Sequence, residues 1–231
     1  MMKKVSVAID GPAGAGKSTI ARRLAAELGY RYVDTGAIYR TVGLACHRAG
    51  VNCKDAAAVE TVLPRLNIQM RYNDAGEQRM YLDEEDVSSR IRMPEISLCA
   101  SDVSTLPAVR SYLLDMQRRM AKNNNVIMDG RDIGTVVLPD ADLKIFMTAS
   151  AAARAQRRLL ELQSKGIRAN FEDVLKDIEY RDKQDSSRAA APMKAAEDAV
   201  ILDTTNLNLE ESYRLLCRTI REKLGLSFVQ G

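Results

Sequence analysis

Apolar positions along the chain follow two alternating periodicities. Short, nearly continuous apolar runs occur at Lys4-Val5-Ser6-Val7-Ala8-Ile9, Asn125–Asp129, Leu143–Met147 and Ala199–Asp203. This is the pattern of parallel strands covered on both faces. A helical period follows the first of them. From Ser18 to Leu28 the apolar residues Ile20, Ala21, Leu24, Ala25 and Leu28 share a face, and Gly29 stands where a C-cap is expected. Helical patterns return over Ser150 to Lys165, Phe171 to Lys183 and Leu209 to Leu224. Asn170 and Asn208 are placed to N-cap the last two, and Glu210 and Glu211 favour the positive end of the final helix. Strands alternating with helices predict an α/β fold with a central, mostly parallel sheet and helices on both faces. Between about Pro64 and Pro94 the pattern changes. Ile68–Tyr72 and Arg79–Asp83 alternate in polarity around Asn73-Asp74-Ala75-Gly76, which predicts a hairpin. We read residues 1–231 as a single domain with a small β-containing insertion over about 64–94.

Composition narrows the class without choosing a function. With 46% hydrophobic and 28% charged residues over 231 positions, the chain can bury a substantial core. No apolar run approaches the roughly 18 residues of a membrane span. The start, Met1-Met2-Lys3-Lys4, precedes too short an apolar stretch for an export signal, so a cytoplasmic protein with no membrane partner is expected. Cys46, Cys53, Cys99 and Cys217 form no CxxC pair, and the lone histidine, His47, lies beside Cys46. Buried or half-buried thiols in a reducing compartment fit better than a zinc or disulfide framework. A net charge of +3, three phenylalanines and no tryptophan argue against a nucleic-acid partner. No coiled-coil pattern or large apolar stripe is visible, so a monomer is expected.

The first strand runs into Gly11-Pro12-Ala13-Gly14-Ala15-Gly16-Lys17-Ser18-Thr19, which fulfils G-x-x-x-x-G-K-[ST] between a predicted strand and a predicted helix. The glycines let backbone N–H groups curl round a β-phosphate, and the helix end favours the anion. Lys17 can bridge the β- and γ-oxygens, and the Ser18 hydroxyl can hold Mg²⁺, largely with water. These residues make a nucleotide phosphate site without fixing which nucleotide.

Three further clusters follow: Asp34-Thr35-Gly36-Ala37-Ile38-Tyr39-Arg40, Asp129-Gly130-Arg131-Asp132-Ile133-Gly134-Thr135 and Arg181-Asp182-Lys183-Gln184-Asp185-Ser186-Ser187-Arg188. The first two fall at the carboxyl ends of strands, where open α/β sheets bind ligands. Together with the phosphate loop, these motifs resemble those of the bacterial cytidylate kinases, in order and spacing, over about Val5 to Leu224. The resemblance implies a three-layer P-loop kinase that binds ATP at Gly11–Thr19 and transfers its γ-phosphate to CMP or dCMP with Mg²⁺. It also implies that the 64–94 insertion closes over the monophosphate and that a helical, arginine-bearing lid lies at about 150–168.

The resemblance further assigns roles residue by residue. Arg40 and Arg131 match clamps on the acceptor phosphate, where planar guanidinium suits phosphate oxygens. Ser101, Arg110 and Asp132 match positions that read the cytosine edge. A carboxylate accepts from the cytosine amine but opposes the carbonyl that uracil carries there. Thr35, Arg181, Asp185 and Arg188 match the surroundings of the sugar. Arg154, Arg157 and Arg158 share a helix face by spacing and match the lid arginines that neutralise the transferring phosphoryl group. Asp129 is expected either to orient Mg²⁺-bound water or to fix Arg131. Direct in-line transfer needs no general base, because the acceptor phosphate is largely dianionic at neutral pH. The nearest alternative is a kinase for UMP or AMP. A GTPase switch would show N-K-x-D, which Asn123-Asn124-Asn125 and Asp129 do not supply.

Overall fold

The computed structural model describes residues 4–164 and 166–225. Met1–Lys3 of the charged start, and Lys165 at the end of one expected helix and within the expected lid, lie outside the described residues. In chain order the elements begin β1 (Ser6–Asp10), α1 (Lys17–Leu28), β2 (Arg31–Asp34), α2 (Thr35–Arg48) and α3 (Ala56–Val62). Three short strands follow, β3 (Ile68–Tyr72), β4 (Gln78–Leu82) and β5 (Glu85–Asp86), then α4 (Pro94–Val103) and α5 (Pro107–Asn123). The chain ends β6 (Val126–Gly130), β7 (Leu143–Thr148), α6 (Ala151–Ser164), α7 (Phe171–Ser186), β8 (Val200–Asp203) and α8 (Leu209–Leu224).

β2, β6, β1, β7 and β8 form, in that order, one parallel sheet. Its central strands are apolar on both faces because both are covered. Val7 and Ile9 of β1 join Ile127, Ile145 and Met147 against α1 and α8. Ala8, between them in sequence, points to the opposite side with Val33 and Met128, against α2 and α5. That alternation is the pleat itself. Asn170 and Asn208 cap α7 and α8 as expected, the latter in a reciprocal capping box with Glu211.

The hairpin pairs Ile68 with Leu82 and Met70 with Met80. Ile68, Met80 and Leu82 enter the same apolar cluster as α2. At the turn end of the hairpin, Tyr72 stands opposite Gln78. The Gln78 amide accepts from Asp34 N–H at 2.7 Å and donates to Asp34 C=O at 3.2 Å, while the Tyr72 hydroxyl donates to Tyr32 C=O at 2.8 Å. Both side chains thus satisfy backbone groups of β2, the edge strand of the main sheet. α7 continues to Ser186, three residues past the expected end at Lys183. Its last turn is held by Asp185, which accepts from Arg131 and Arg188.

Candidate active site

The phosphate loop leaves β1 at Asp10. Gly11 has φ 140°, and a Cβ there would meet the Met147 carbonyl oxygen at 1.9 Å, so only glycine lets the loop cross the end of β7. α1 then starts at Lys17 without a side-chain cap, leaving first-turn N–H groups free to meet an anion. Asp10 itself is buried and accepts from Ile133 N–H and Gly134 N–H, each at 2.7 Å. It pins the segment after β6 that carries Arg131 and Asp132. Burial pushes its carboxyl up to about 6 against the pull of those N–H groups.

Lys17 is buried, and its Nζ donates to Pro12 C=O at 2.7 Å. Burial, and then the neighbouring Arg131, push its ammonium down to about 7. Ser18 Oγ donates to Asp129 Oδ2 at 2.5 Å, and the Tyr32 hydroxyl lies 3.2 Å from Asp129 Oδ1. Burial, and then Asp34, push Asp129 up to about 6. A hydroxyl and a carboxylate side by side below the phosphate loop form a hard-oxygen pair suited to Mg²⁺. Asp129 makes no hydrogen bond to Arg131, whose fixing partner is Asp185, 2.7 Å from its Nε.

The acceptor motifs converge on the same space. One cleft of about 760 Å³ is lined by Lys17, Ser18, Thr35, Arg40, Ser101, Arg110, Asp129, Arg131, Asp132, Arg157, Arg158, Arg181, Asp185 and Arg188, with the loop residues Ala13–Gly16 and Thr19. Arg40 donates to Asp34 at 2.8 Å, and Asp34 also caps α2 by accepting from Ala37 N–H at 2.9 Å. Burial alone would raise the Asp34 carboxyl; Arg40 and the Ala37 N–H outweigh it and hold it below its ordinary value. Thr35 is turned inward, its hydroxyl donating to Asp129 C=O at 2.7 Å. Asp185 is buried between Arg131 and Arg188. Against burial, these two cations hold its carboxyl low. Burial, and then Arg131, lower Arg181, a sign of a cation kept close to others. Arg110 pairs with Asp132 and donates to Ser104 C=O at 3.1 Å, with its guanidinium 5.6 Å from the Tyr39 ring centroid.

One arrangement differs from the expectation. Arg154 does not share the cleft-facing surface of Arg157 and Arg158. It is buried, paired bidentately with Asp182 at 3.0 and 2.6 Å, and donates to Ala13 C=O at 3.1 Å and Ala149 C=O at 2.8 Å. Helical spacing places the three Cα atoms on one side, but those four acceptors draw this guanidinium beneath the phosphate loop. Arg157 donates to the backbone carbonyls of Thr204 and Leu207, and Arg158 is exposed beside Glu161 at 2.7 Å. Sequence reasoning also passed over Asp10, Tyr39, Ser104 and Asp182 as site residues. Tyr39 and Asp182 stand inside recognised motifs and Asp10 directly precedes one, so these three were findable; Ser104 lines the cleft from the C-cap of α4, outside every motif.

A family model described as cytidylate kinase matches residues 7–222. The cytidylate kinase of Caldicellulosiruptor bescii is 50% identical over 210 residues, covering 91% of this chain and 92% of that one. The cytidylate kinase of Lactobacillus johnsonii is 48% identical over 219 residues, covering 95% of each. Among solved structures, an uncharacterised protein from Eubacterium ventriosum superposes with a TM-score of 0.50 at 11% identity, covering 95% of this chain and 99% of that one. That likeness concerns the fold alone.

Proposed function

The chain belongs to the cytidylate kinase family, and from that premise we propose that the cleft described above holds ATP on the phosphate loop and CMP or dCMP against Arg40, Arg131 and Asp132. The activity is ATP-dependent phosphorylation of CMP or dCMP to the diphosphate, with ADP as the second product. The observation that supports the placement is that phosphate-loop and acceptor motifs, distant in sequence, line the same cavity. The test is ADP release from ATP across CMP, dCMP, UMP, AMP and GMP. Strong stimulation by the cytidine nucleotides alone is expected; equal stimulation by UMP or AMP contradicts it.

Ground-state positioning and charge neutralisation carry the reaction. The acceptor phosphate, already mostly dianionic, attacks the γ-phosphorus in line while Arg40 and Arg131 hold its oxygens. Lys17 stabilises charge on the β–γ bridge as it breaks, and Arg157 and Arg158 reach the same space from α6. Arg154 acts beneath the loop, tying it to α7 through Asp182. Ser18, with Asp129 through water, would hold Mg²⁺, which neutralises charge on the donor phosphates. Ser101, Arg110 and Asp132 receive the cytosine edge, and Thr35, Arg181, Asp185 and Arg188 surround the sugar. The reaction belongs to pyrimidine nucleotide metabolism. Free thiols and nucleotide substrates fit a reducing, cytoplasmic setting, and a monomer is the form proposed. Among the described residues no helix is long and apolar enough to cross a membrane.

Lys17 gives this placement a pH signature. Its ammonium sits at about 7 in the free protein, and four negative charges from ATP restore the charged form. At pH 8, ATP binding should therefore take up close to one proton, read by calorimetry in buffers of different ionisation enthalpy. At pH 6 the lysine is already charged and uptake should shrink toward zero. Equal uptake at both pH values would count against it.

Closure is the second consequence. The lid helix α6 packs with α7 on a small cluster of their own, around Ala155, Val174 and Ile178. The insertion over about 64–94 and the lid over about 150–168 should move inward when both nucleotides bind, excluding water that would otherwise hydrolyse ATP. X-ray scattering should record a smaller radius of gyration with CMP plus a non-hydrolysable ATP analogue. An unchanged radius would refute closure.

A further inference from the structure

Helix α2 carries a glycine in its interior. Gly43 is buried and has ordinary helical backbone, so neither a turn nor a positive φ requires it. Glycine within a helix costs roughly 0.5–1 kcal/mol relative to alanine. The reason for it lies across the helix pair. A Cβ on Gly43 would stand 2.9 Å from the Ala100 backbone nitrogen, 3.3 Å from Ala100 Cα and 3.2 Å from Cys99 Cβ. Two of those three atoms belong to the α4 backbone, which no side-chain rotation can move aside. α2 and α4 are therefore in main-chain contact at this point.

That contact lies next to the base-reading end of the cleft. Ser97, Ala100, Ser101 and Ser104 of α4 and its C-cap line the cavity. The Ser104 carbonyl accepts from Arg110 Nη1 at 3.1 Å, and Arg110 in turn pairs with Asp132. Ser104 Oγ donates to Ser101 C=O at 2.7 Å, making the end of α4 one unit. An outward shift of α4 carries Ser101 and the Ser104 carbonyl with it and turns the Arg110 guanidinium relative to Asp132.

We propose that Gly43 is a positioning residue for base selection: the close approach it permits between α2 and α4 sets Ser101 and, through the Ser104 carbonyl, the Arg110–Asp132 pair. The inference rests on the reading of Asp132 as the group that meets the base. ATP is placed on the other side of the cleft, against the phosphate loop and α1, neither of which supplies the three atoms nearest a Gly43 Cβ.

Gly43→Ala should lower kcat/KM for CMP by about tenfold, the scale of a displacement of a few tenths of an ångström in a positioned site. It should narrow the CMP-to-UMP ratio by about threefold or more, as part of one base-edge contact is lost. The KM for ATP should stay within about twofold. Cys99→Val loads the same junction from the α4 side with one added methyl and should shift the ratio in the same direction, which keeps the test open if Gly43→Ala does not fold. Asp132→Asn is measured in parallel. A ratio that moves in Asp132→Asn while staying fixed in the junction variants, whatever their thermal stability, overturns the role of Gly43 alone. A ratio fixed in all of them overturns the base-reading assignment as well.

Discussion

Replacing Lys17 by methionine is expected to lower kcat/KM by at least about a thousandfold, the scale for a preorganised charge that meets the transition state. The folded protein should be no less stable for it. In the nucleotide-free molecule the Lys17 ammonium is buried, is held by one carbonyl at 2.7 Å and has been driven down to about 7. The unfolded chain holds that proton to about pH 10.5. Between pH 7 and 10.5 the unfolded state therefore binds more protons, so folding strengthens as pH rises, and below pH 7 the full penalty of a buried charge remains. Methionine keeps the length and removes the charge. Stability at pH 7 should rise, by order of 1–3 kcal/mol after allowance for the lost Pro12 contact. Urea unfolding and steady-state kinetics on the same samples check both halves. A fall in activity matched by a fall in stability would assign Lys17 a structural role instead.

Asp132→Asn is expected to invert base preference. In the parent, Asp132 offers acceptors only, one of them taken by Arg110. A cytosine amine completes the other, whereas the uracil carbonyl faces it unfavourably. In the variant, Arg110 holds the amide oxygen and directs the NH₂ group at the base. CMP should lose roughly 1–3 kcal/mol of transition-state binding, about 5- to 150-fold in kcat/KM, and UMP should gain. Arg110 keeps the Ser104 carbonyl at 3.1 Å, so it is not left wholly unpaired. Competition between CMP and UMP in one vessel reads the ratio directly. A variant that loses both substrates equally would show that Asp132 holds the loop and does not read the base.

The sequence revealed those parts of the fold whose cause is local. β1 and β6 were legible because a strand covered on both faces must be apolar throughout. β7 and the edge strand β8 were legible from their apolar runs, although β7 alternates buried with half-buried positions and Ile201 of β8 is exposed, so the expectation of two covered faces fails there. The hairpin was legible because Asn73–Gly76 interrupts alternation. The caps of α1, α7 and α8 followed from Gly29, Asn170 and Asn208. β5 was not legible: Glu85 and Asp86 are exposed and charged, and they pair only because β4 offers an edge. The site shows the same division. Motifs marked the phosphate loop and the arginines, since each acts on a phosphate group by its own chemistry. What those arginines hold while waiting was not visible. The partner of Arg131 is Asp185, 54 residues away, and that of Arg154 is Asp182, 28 away. Such pairs are set by how α7 packs against α6, and spacing along α6 alone turned Arg154 the wrong way.

The central claim is that a single cleft holds both nucleotides with their phosphates end to end. Adenosine and cytidine joined through a pentaphosphate chain span that arrangement in one molecule, and calorimetric titration of the protein with this compound tests it most directly. One molecule should bind per chain, at least about a hundredfold more tightly than ATP or CMP alone, and either nucleotide should displace it. Affinity no better than that of ATP, or displacement by only one of the two nucleotides, would contradict the account.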